Sequence, residues 1–272
     1  MIGIGIMSFD RPHYLGPMLQ SLGANDLTDC EVWLFQDGRE CHVTGKQMAK
    51  QEDIAECVGL FEQADLPLGR VVAHTHNLGI GLNRLALYNA LMRNYDSFIQ
   101  LEDDVVLAPG FVVLMHKLLS DFAGDEDVGL IRSSLRPCDD IEKTYCILHD
   151  ATWWASFGAF GARSEWFASV LAQYERYCDV IRPYPYTPHE DYAGLVTKLI
   201  GPDNVPSSDG ALIWATDTTR RYPWTIPMPR ARSIGVHGVH CRPEIFERLR
   251  MHKVVLQEYP NELAMEWRKV YA

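Results

Sequence analysis

Asp96-Ser97-Phe98-Ile99-Gln100-Leu101-Glu102-Asp103-Asp104-Val105-Val106-Leu107-Ala108-Pro109-Gly110-Phe111 is the stretch that decides the fold. Phe98, Ile99 and Leu101 are strand formers, and helical patterns lie on both sides of them. The strand runs straight into three acids. In an open α/β sheet, ligands bind outside the carboxyl ends of the strands, which is where Glu102, Asp103 and Asp104 stand. Adjacent carboxylates repel by roughly 3 kcal/mol per pair at ~5 Å and an effective dielectric of ~20. A hard divalent cation removes that cost, and oxygen ligands suit Mg²⁺ or Mn²⁺. The alternative reading is an acidic turn facing water.

Leu101-Glu102-Asp103-Asp104, followed by Val106, Ala108-Pro109 and Phe111, resembles the metal-binding motif of GT-A glycosyltransferases. The likeness is nearest to the family 13 N-acetylglucosaminyltransferases that begin complex N-glycans, and family 2 transferases share the general plan. It is dense over residues 95–111, looser over 1–111 and patchy beyond. It implies a GT-A (Rossmann-like), mostly parallel central sheet flanked by helices. It also implies a nucleotide-sugar donor, an acceptor hydroxyl on a glycan or other molecule, and Mn²⁺ or Mg²⁺ as cofactor.

The chain has 272 residues, enough for one large domain or two small ones, with 47% hydrophobic and 22% charged residues. With 25 basic against 36 acidic residues the net charge is −11, which disfavours nucleic acid as a partner. Seven cysteines, an odd count with no Cys-x-x-Cys pair, are expected of a reduced, cytoplasmic protein. Met1 runs directly into an apolar strand, and no apolar run approaches ~18 residues. Neither a signal peptide nor a membrane span is expected, a departure from the anchored Golgi enzymes of family 13.

Strands are expected at Ile2–Ser8, Glu31–Gln36, Arg70–Ala73, 98–101 and Val128–Arg132. Helices are expected at Pro12–Leu22, Gly45–Ala64, Gly81–Tyr95 and Gly110–Ala123. Strands alternating with helices imply a parallel sheet with right-handed crossovers. Gly3-Ile4-Gly5 lies inside the first strand, so no dinucleotide phosphate turn is expected. The second part of the chain reads as more mixed. Strands are expected at Tyr145–Leu148, Trp153–Phe157, Ala211–Ala215 and Ser233–Val236. Helices are expected at Ser164–Cys178 with Ser164 as N-cap, after His189-Glu190-Asp191 to Leu199, at Glu244–Glu258 and at Glu262–Tyr271. Tyr222–Arg232 is Pro-rich and is expected to be irregular. No composition break marks a linker. We expect one domain over 1–272, with a nucleotide-sugar half (1–133) and a mixed, acceptor-binding half (134–272).

Several strand ends carry polar groups in sequence order: Ser8-Phe9-Asp10-Arg11, Asp37-Gly38, and the acidic triplet. Parallel neighbours bring such ends to one edge. The resemblance implies that Ser8 and Asp10 line the donor site, that Arg11 touches the base or a phosphate, and that Asp37 accepts the uracil N–H. Asp-Gly after a strand is also a plain turn signal. His76-Asn77-Leu78-Gly79-Ile80-Gly81 opens a helix with two glycines, as backbone close to a ligand requires. It resembles the Asn-x-Gly loop of family 2, which packs on the donor, and Arg84 could reach a phosphate. Otherwise it is an ordinary glycine loop with Arg84 in an ion pair.

His189-Glu190-Asp191 precedes a helix, where carboxylates are stabilised as caps. Family 13 has aromatic-Asp-Asp-Trp there and this chain has His-Glu-Asp-Tyr. The match implies Asp191 as general base, Glu190 as its neighbour, and inversion at the anomeric carbon. The resemblance also implies a late histidine at the metal or diphosphate, for which His237 and His240 of His237-Gly238-Val239-His240 are the candidates; zinc would need a second ligand pair that is lacking. Trp153, Trp154, Phe157, Phe160, Trp166, Tyr184, Tyr186 and Trp224 could stack on sugar, though most such rings belong to cores. The competing readings are a retaining GT-A transferase, a nucleotidylyltransferase lacking its Gly-rich loop, and a non-catalytic carbohydrate- or nucleotide-binding protein.

Overall fold

All seven residues of β1 (Ile2–Ser8) are buried, and so are all seven of β2 (Cys30–Gln36). Strands apolar on both sides need helices on both faces of their sheet. The computed structural model supplies them; it describes residues 1–67, 69–138, 140, 143–149, 157–185, 190–237, 243–256 and 263–271, without the side chains of 190 and 191.

The chain continues from β1 through α1 (Pro12–Gly23), β2, α2 (Gln51–Gln63), β3 (Arg70–Ala73) and α3 (Gly79–Asn94). It then makes β4 (Ser97–Glu102), β5 (Val105–Leu107), α4 (Phe111–Asp121) and β6 (Leu130–Ser133). β7 (Cys146–His149), β8 (Ala159–Arg163), α5 (Ser164–Ile181), α6 (Glu190–Ile200) and α7 (Ser208–Thr219) follow. β9 (Trp224–Ile226), β10 (Ala231–Ser233), α8 (Pro243–Arg248) and β11 (Arg268–Tyr271) complete it.

Nine strands form one mixed sheet in the order β11-β7-β9-β6-β8-β4-β1-β2-β3, and β5 pairs antiparallel with β10. β1 is parallel to both β2 and β4. β8 runs antiparallel between β4 and β6, so the two expected halves share one sheet. One core packs α1, α2 and α4 on one face; the other packs α3, α5 and α7 on the opposite face. Gly3 and Gly5 admit α3 closely: a β-carbon on Gly5 would meet Leu87 and Leu91 at 2.8 Å, and one on Gly3 would meet the Tyr95 ring.

Through β6 the expected elements stand within a few residues of those observed, except that α2 begins at Gln51 rather than Gly45. The segment before it is held by a bridge between Glu40 and Gln47, with Gly45 left-handed at φ 67°. Beyond β6 several expectations are corrected. The strand expected at Trp153–Phe157 lies outside the described residues apart from Phe157, and the strand beside β4 is β8. Ser164 is not the cap of α5 but its first residue, and its hydroxyl donates to the Tyr95 carbonyl. Ala211–Ala215 is helix: Ser207 Oγ accepts the Gly210 N–H as N-cap, and Ala211, Leu212 and Ala215 are buried against the second core. The Pro-rich stretch contains β9 and β10, and the latter ends at Ser233. The long C-terminal helices are absent from the described residues. α8 stops at Arg248, Arg250 is left-handed at φ 56°, and Arg268–Tyr271 is a strand parallel to β7.

No disulfide joins the described cysteines, and no described helix is long and apolar enough to cross a membrane.

Candidate functional site

β2 and β3 lie on one side of β1, and β4 lies on the other. The strand order reverses there, which opens a crevice at the carboxyl ends of β1 and β4. Their register pairs Met7 with Glu102. The β1–α1 turn, Ser8 to Arg11, therefore lies beside the acidic triplet.

Two arginines grip that triplet. Arg11 bonds Asp103 with two nitrogens, Nε at 3.2 Å and NH2 in a shorter contact, and its NH1 donates to Asp104 Oδ2 at 3.0 Å. Arg84, fully buried on α3, donates from NH2 to Glu102 Oε1 at 2.8 Å and from NH1 to Asp209 Oδ1 at 2.7 Å and Ser208 Oγ at 2.8 Å. Burial pushes the Glu102 and Asp103 carboxyls up from the ordinary range, while Arg84 and Arg11 pull them back. Burial alone would lower the Arg11 pKa; Asp103 and Asp104 outweigh it and raise it. Two guanidinium groups thus offset part of the repulsion for which a cation was expected, and both carboxyls still stay above the ordinary range.

A late segment closes over the triplet. β10 runs antiparallel to β5, pairing Ser233 with Val105, and Ile234 N–H then donates to the Asp104 carbonyl at 2.8 Å. A β-carbon on Gly235 would lie 2.0 Å from Asp104 Oδ2. His237 N–H donates to Tyr14 Oη at 3.0 Å, and the Tyr14 ring lies 5.5 Å from the Arg11 guanidinium carbon. The segment expected to bring a late imidazole thus meets the acidic triplet through its backbone, at Ile234 and Gly235. His240 lies outside the described residues.

Asp37 is buried at the end of β2 and takes four donors: Gly38 N–H, Leu78 N–H, Gly79 N–H and Asn77 Nδ2. Its carboxylate ties β2 to the N-terminus of α3. Burial outweighs those bonds and pushes its pKa up to about 6. His76 is exposed beside Thr75, and its carbonyl accepts the Gly38 N–H. A pocket of about 550 Å³ opens next to Asp37, walled by Ile54, Ala55, Val58 and Ala73 with Gln36, Arg39 and His74. Arg11 does not line it. Of the two residues expected beside the base, only Asp37 borders this pocket, and its lone pairs are already engaged. Ser8 is buried and Asp10 half-buried on the β1–α1 turn.

Glu190 and Asp191 begin α6, which packs on α5 and α7, but their side chains lie outside what is described. Of the aromatic candidates, Phe157, Phe160, Trp166 and Trp224 are core, and Tyr184 is half-buried against Tyr192. Trp153, Trp154 and Tyr186 lie outside the described residues.

Among the described residues no three His, Cys, Asp or Glu side chains gather as a metal cage. Glu102 and Asp103 are engaged by arginine. Asp104 Oδ1 takes no partner among the described residues. One open carboxylate oxygen, on an acid that Arg11 also holds, suits a cation whose other ligands come from substrate phosphates, the usual setting of Mg²⁺. Sequence reasoning missed Asp209, Ser208, Tyr14 and Gly235. The first two carried a signal, Ser207-Ser208-Asp209-Gly210, which is a helix start.

No family profile and no curated protein matches the chain. Among solved structures, TarS 1–349 of S. aureus in complex with UDP is 11% identical over 83% of this chain and 57% of its own, with a TM-score of 0.46. A longer S. aureus TarS chain is 12% identical over 62% of this chain and only 29% of its own, at 0.42. The galactosyltransferase LgtC, in complex with donor and acceptor sugar analogs, is 16% identical over 68% of this chain and 67% of its own, at 0.38. At such identities and TM-scores, the functional reading rests on the geometry of the site itself.

Proposed function

We propose that this chain is a GT-A glycosyltransferase that moves a sugar from a nucleotide sugar, a UDP-sugar, to an acceptor hydroxyl with inversion. The observation that carries the reading is the meeting of Arg11, Asp103, Asp104 and Gly235 at the switch point, one strand away from the pocket beside Asp37. In this reading the base enters that pocket between apolar walls. Asp37 lines the pocket and holds the start of α3 through Leu78 and Gly79. The diphosphate lies toward Asp104, and Arg11 supplies a positive charge beside it. A divalent cation, when bound through Asp104 and the diphosphate, would supply further charge for the leaving group.

Asp191 is assigned as the base on the acceptor side. It takes the proton of the attacking hydroxyl as the new C–O bond forms and the bond to the diphosphate breaks. The start of a helix favours its ionised form. Attack opposite the leaving group inverts the anomeric carbon.

The test is a screen of nucleotide sugars for release of nucleoside diphosphate, with Mn²⁺, with Mg²⁺ and with chelator. Proton NMR of the product then reads the anomeric configuration. Uridine diphosphate release that depends on the cation, with an inverted product, is the expected result. Absence of turnover and of nucleotide binding across the panel would overturn the reading; a retained configuration would overturn the role of Asp191.

A further inference from the structure

We infer that a second ligand site, one that takes a saccharide unit, opens on the edge of the sheet opposite the acidic triplet. It stands apart from the nucleotide-sugar site and does not rest on that reading.

Topology fixes its place. β8 is antiparallel to both β4 and β6, so β6 runs with β4, and β9 runs with β6. β7 is antiparallel to β9 and pairs His149 with Trp224; β11 runs with β7 and pairs Tyr271 with His149. The ends of β7 and β11 therefore meet the beginnings of β6 and β9, away from the carboxyl end of β4. A cavity of about 400 Å³ opens there. Small-molecule sites span ~300–1,000 Å³.

Rings form one part of the lining. The His149 ring lies 5.2 Å from that of Tyr222 and 5.6 Å from that of Tyr271, between centroids. Trp224 backs this cluster, 5.2 Å from His149 and 5.3 Å from Tyr271. Tyr271 is nonetheless 63% exposed.

Polar groups form the rest. Arg220 and Arg221 come from the turn between α7 and β9, and Glu126 and Asp127 stand just before β6. The Arg221 guanidinium carbon lies 5.3 Å from the Trp166 ring. Neither arginine side chain has an ion pair or hydrogen bond among the described residues. Their backbone is fixed: Arg220 N–H donates to the Asp217 carbonyl at 3.1 Å, and Arg221 N–H to the Thr216 carbonyl at 2.9 Å. Arg220 is left-handed at φ 55°, where a helix more commonly ends on glycine.

The lining chemistry selects the ligand. Guanidinium and carboxylate groups share one cavity, so a simple anion or cation meets repulsion as well as attraction. Guanidinium only donates hydrogen bonds and carboxylate only accepts them, whereas a hydroxyl does both. The rings offer apolar faces to the C–H groups of a pyranose. A saccharide uses all three.

Saturation-transfer NMR on the full chain tests this, with lactose, maltotriose, cellotriose and chitotriose as probes. Saturating UDP and UDP-N-acetylglucosamine, inorganic phosphate and free glutamate serve as competitors. At least one saccharide should bind, and none of the competitors should displace it. Arg220→Gly removes the guanidinium and suits the left-handed backbone; Tyr271→Ala removes an exposed ring. Each should weaken that saccharide about tenfold while the melting temperature stays near wild type. Binding of no saccharide, or binding that neither variant weakens, overturns the inference. Displacement by UDP or the UDP-sugar would put the saccharide in the crevice and overturn it too. Displacement by phosphate or glutamate would overturn the choice of ligand. A chain that binds no uridine nucleotide, yet meets these expectations, loses the reading above and keeps this site.

Discussion

The α-carbon of Gly235 sits against the Asp104 carboxylate so closely that a β-carbon there would lie 2.0 Å from Oδ2. Gly235→Ala must therefore push the carboxylate away from its place beside Arg11. Overpacking of this kind costs about 1–3 kcal/mol. Because the displaced atoms end a short side chain, the fold should survive. Nucleotide-sugar turnover should drop more than tenfold, while circular dichroism stays that of the wild type. Full turnover in this variant would show that the position of Asp104 is unimportant.

Arg11 and Asp103 form the second relationship to test. Removing one partner of a fully buried pair costs about 3–5 kcal/mol because the other charge is left uncompensated; Arg11 is part-exposed, so the loss here should be smaller. Arg11→Ala should melt below wild type in chelator. Millimolar Mn²⁺ or Mg²⁺ should restore part of the loss, and should raise the melting temperature of the variant more than that of wild type. Equal cation responses in the two proteins would remove Arg11 from the charge balance of the site.

For Asp37 the expectation concerns pH. Its pKa in the fold is about 6, above the ordinary 3.8. The folded chain thus holds this proton more tightly than the unfolded chain does. The stability this proton contributes is full below about 3.8 and is lost as pH rises through about 6. The melting temperature of wild type minus that of Asp37→Asn should shrink from pH 4 to pH 7. A difference that is flat or grows over that window would contradict the assignment.

Asp191→Asn should leave UDP-sugar affinity near wild type and reduce turnover by ~10²–10⁴, the usual worth of a general base. Glu190→Gln should be milder. Single-turnover kinetics with saturating donor make the comparison, and near-normal turnover by Asp191→Asn would assign the proton transfer elsewhere.

The first 133 residues were readable because periodicity is strong there. β1 and β2 each hold an apolar run, Ile2–Met7 and Val32–Phe35, and α1, α2 and α4 carry one apolar stripe each. β8 was hard to see because Ala159-Phe160-Gly161-Ala162 has weak strand character. Its small residues are needed for contact, since a β-carbon on Gly161 would meet Met115 at 2.6 Å. Ala211–Ala215 is short and apolar, so its periodicity could not tell helix from strand; the cap at Ser207 could have. The triplet and Arg11 were each noticed, but not their pairing. Ninety-two positions separate Arg11 from Asp103, and only the parallel pairing of β1 and β4 brings them together. The role of Asp37 was hidden likewise, because three of its four donors come from residues 77–79, beyond β3.

β8 has one more consequence. It lies between β4 and β6, although it leaves the ribosome after both. While the chain is being made, β4 therefore waits with an unpaired edge until residue 163 has emerged. Bare edges of apolar strands invite pairing between chains. A fragment stopped near residue 133 would carry Arg11, Asp37 and the acidic triplet and still be a poor folding unit, prone to aggregate. Slow translation between β6 and β8 should lower the soluble yield of the full protein, whereas the same pause placed after α5 should not.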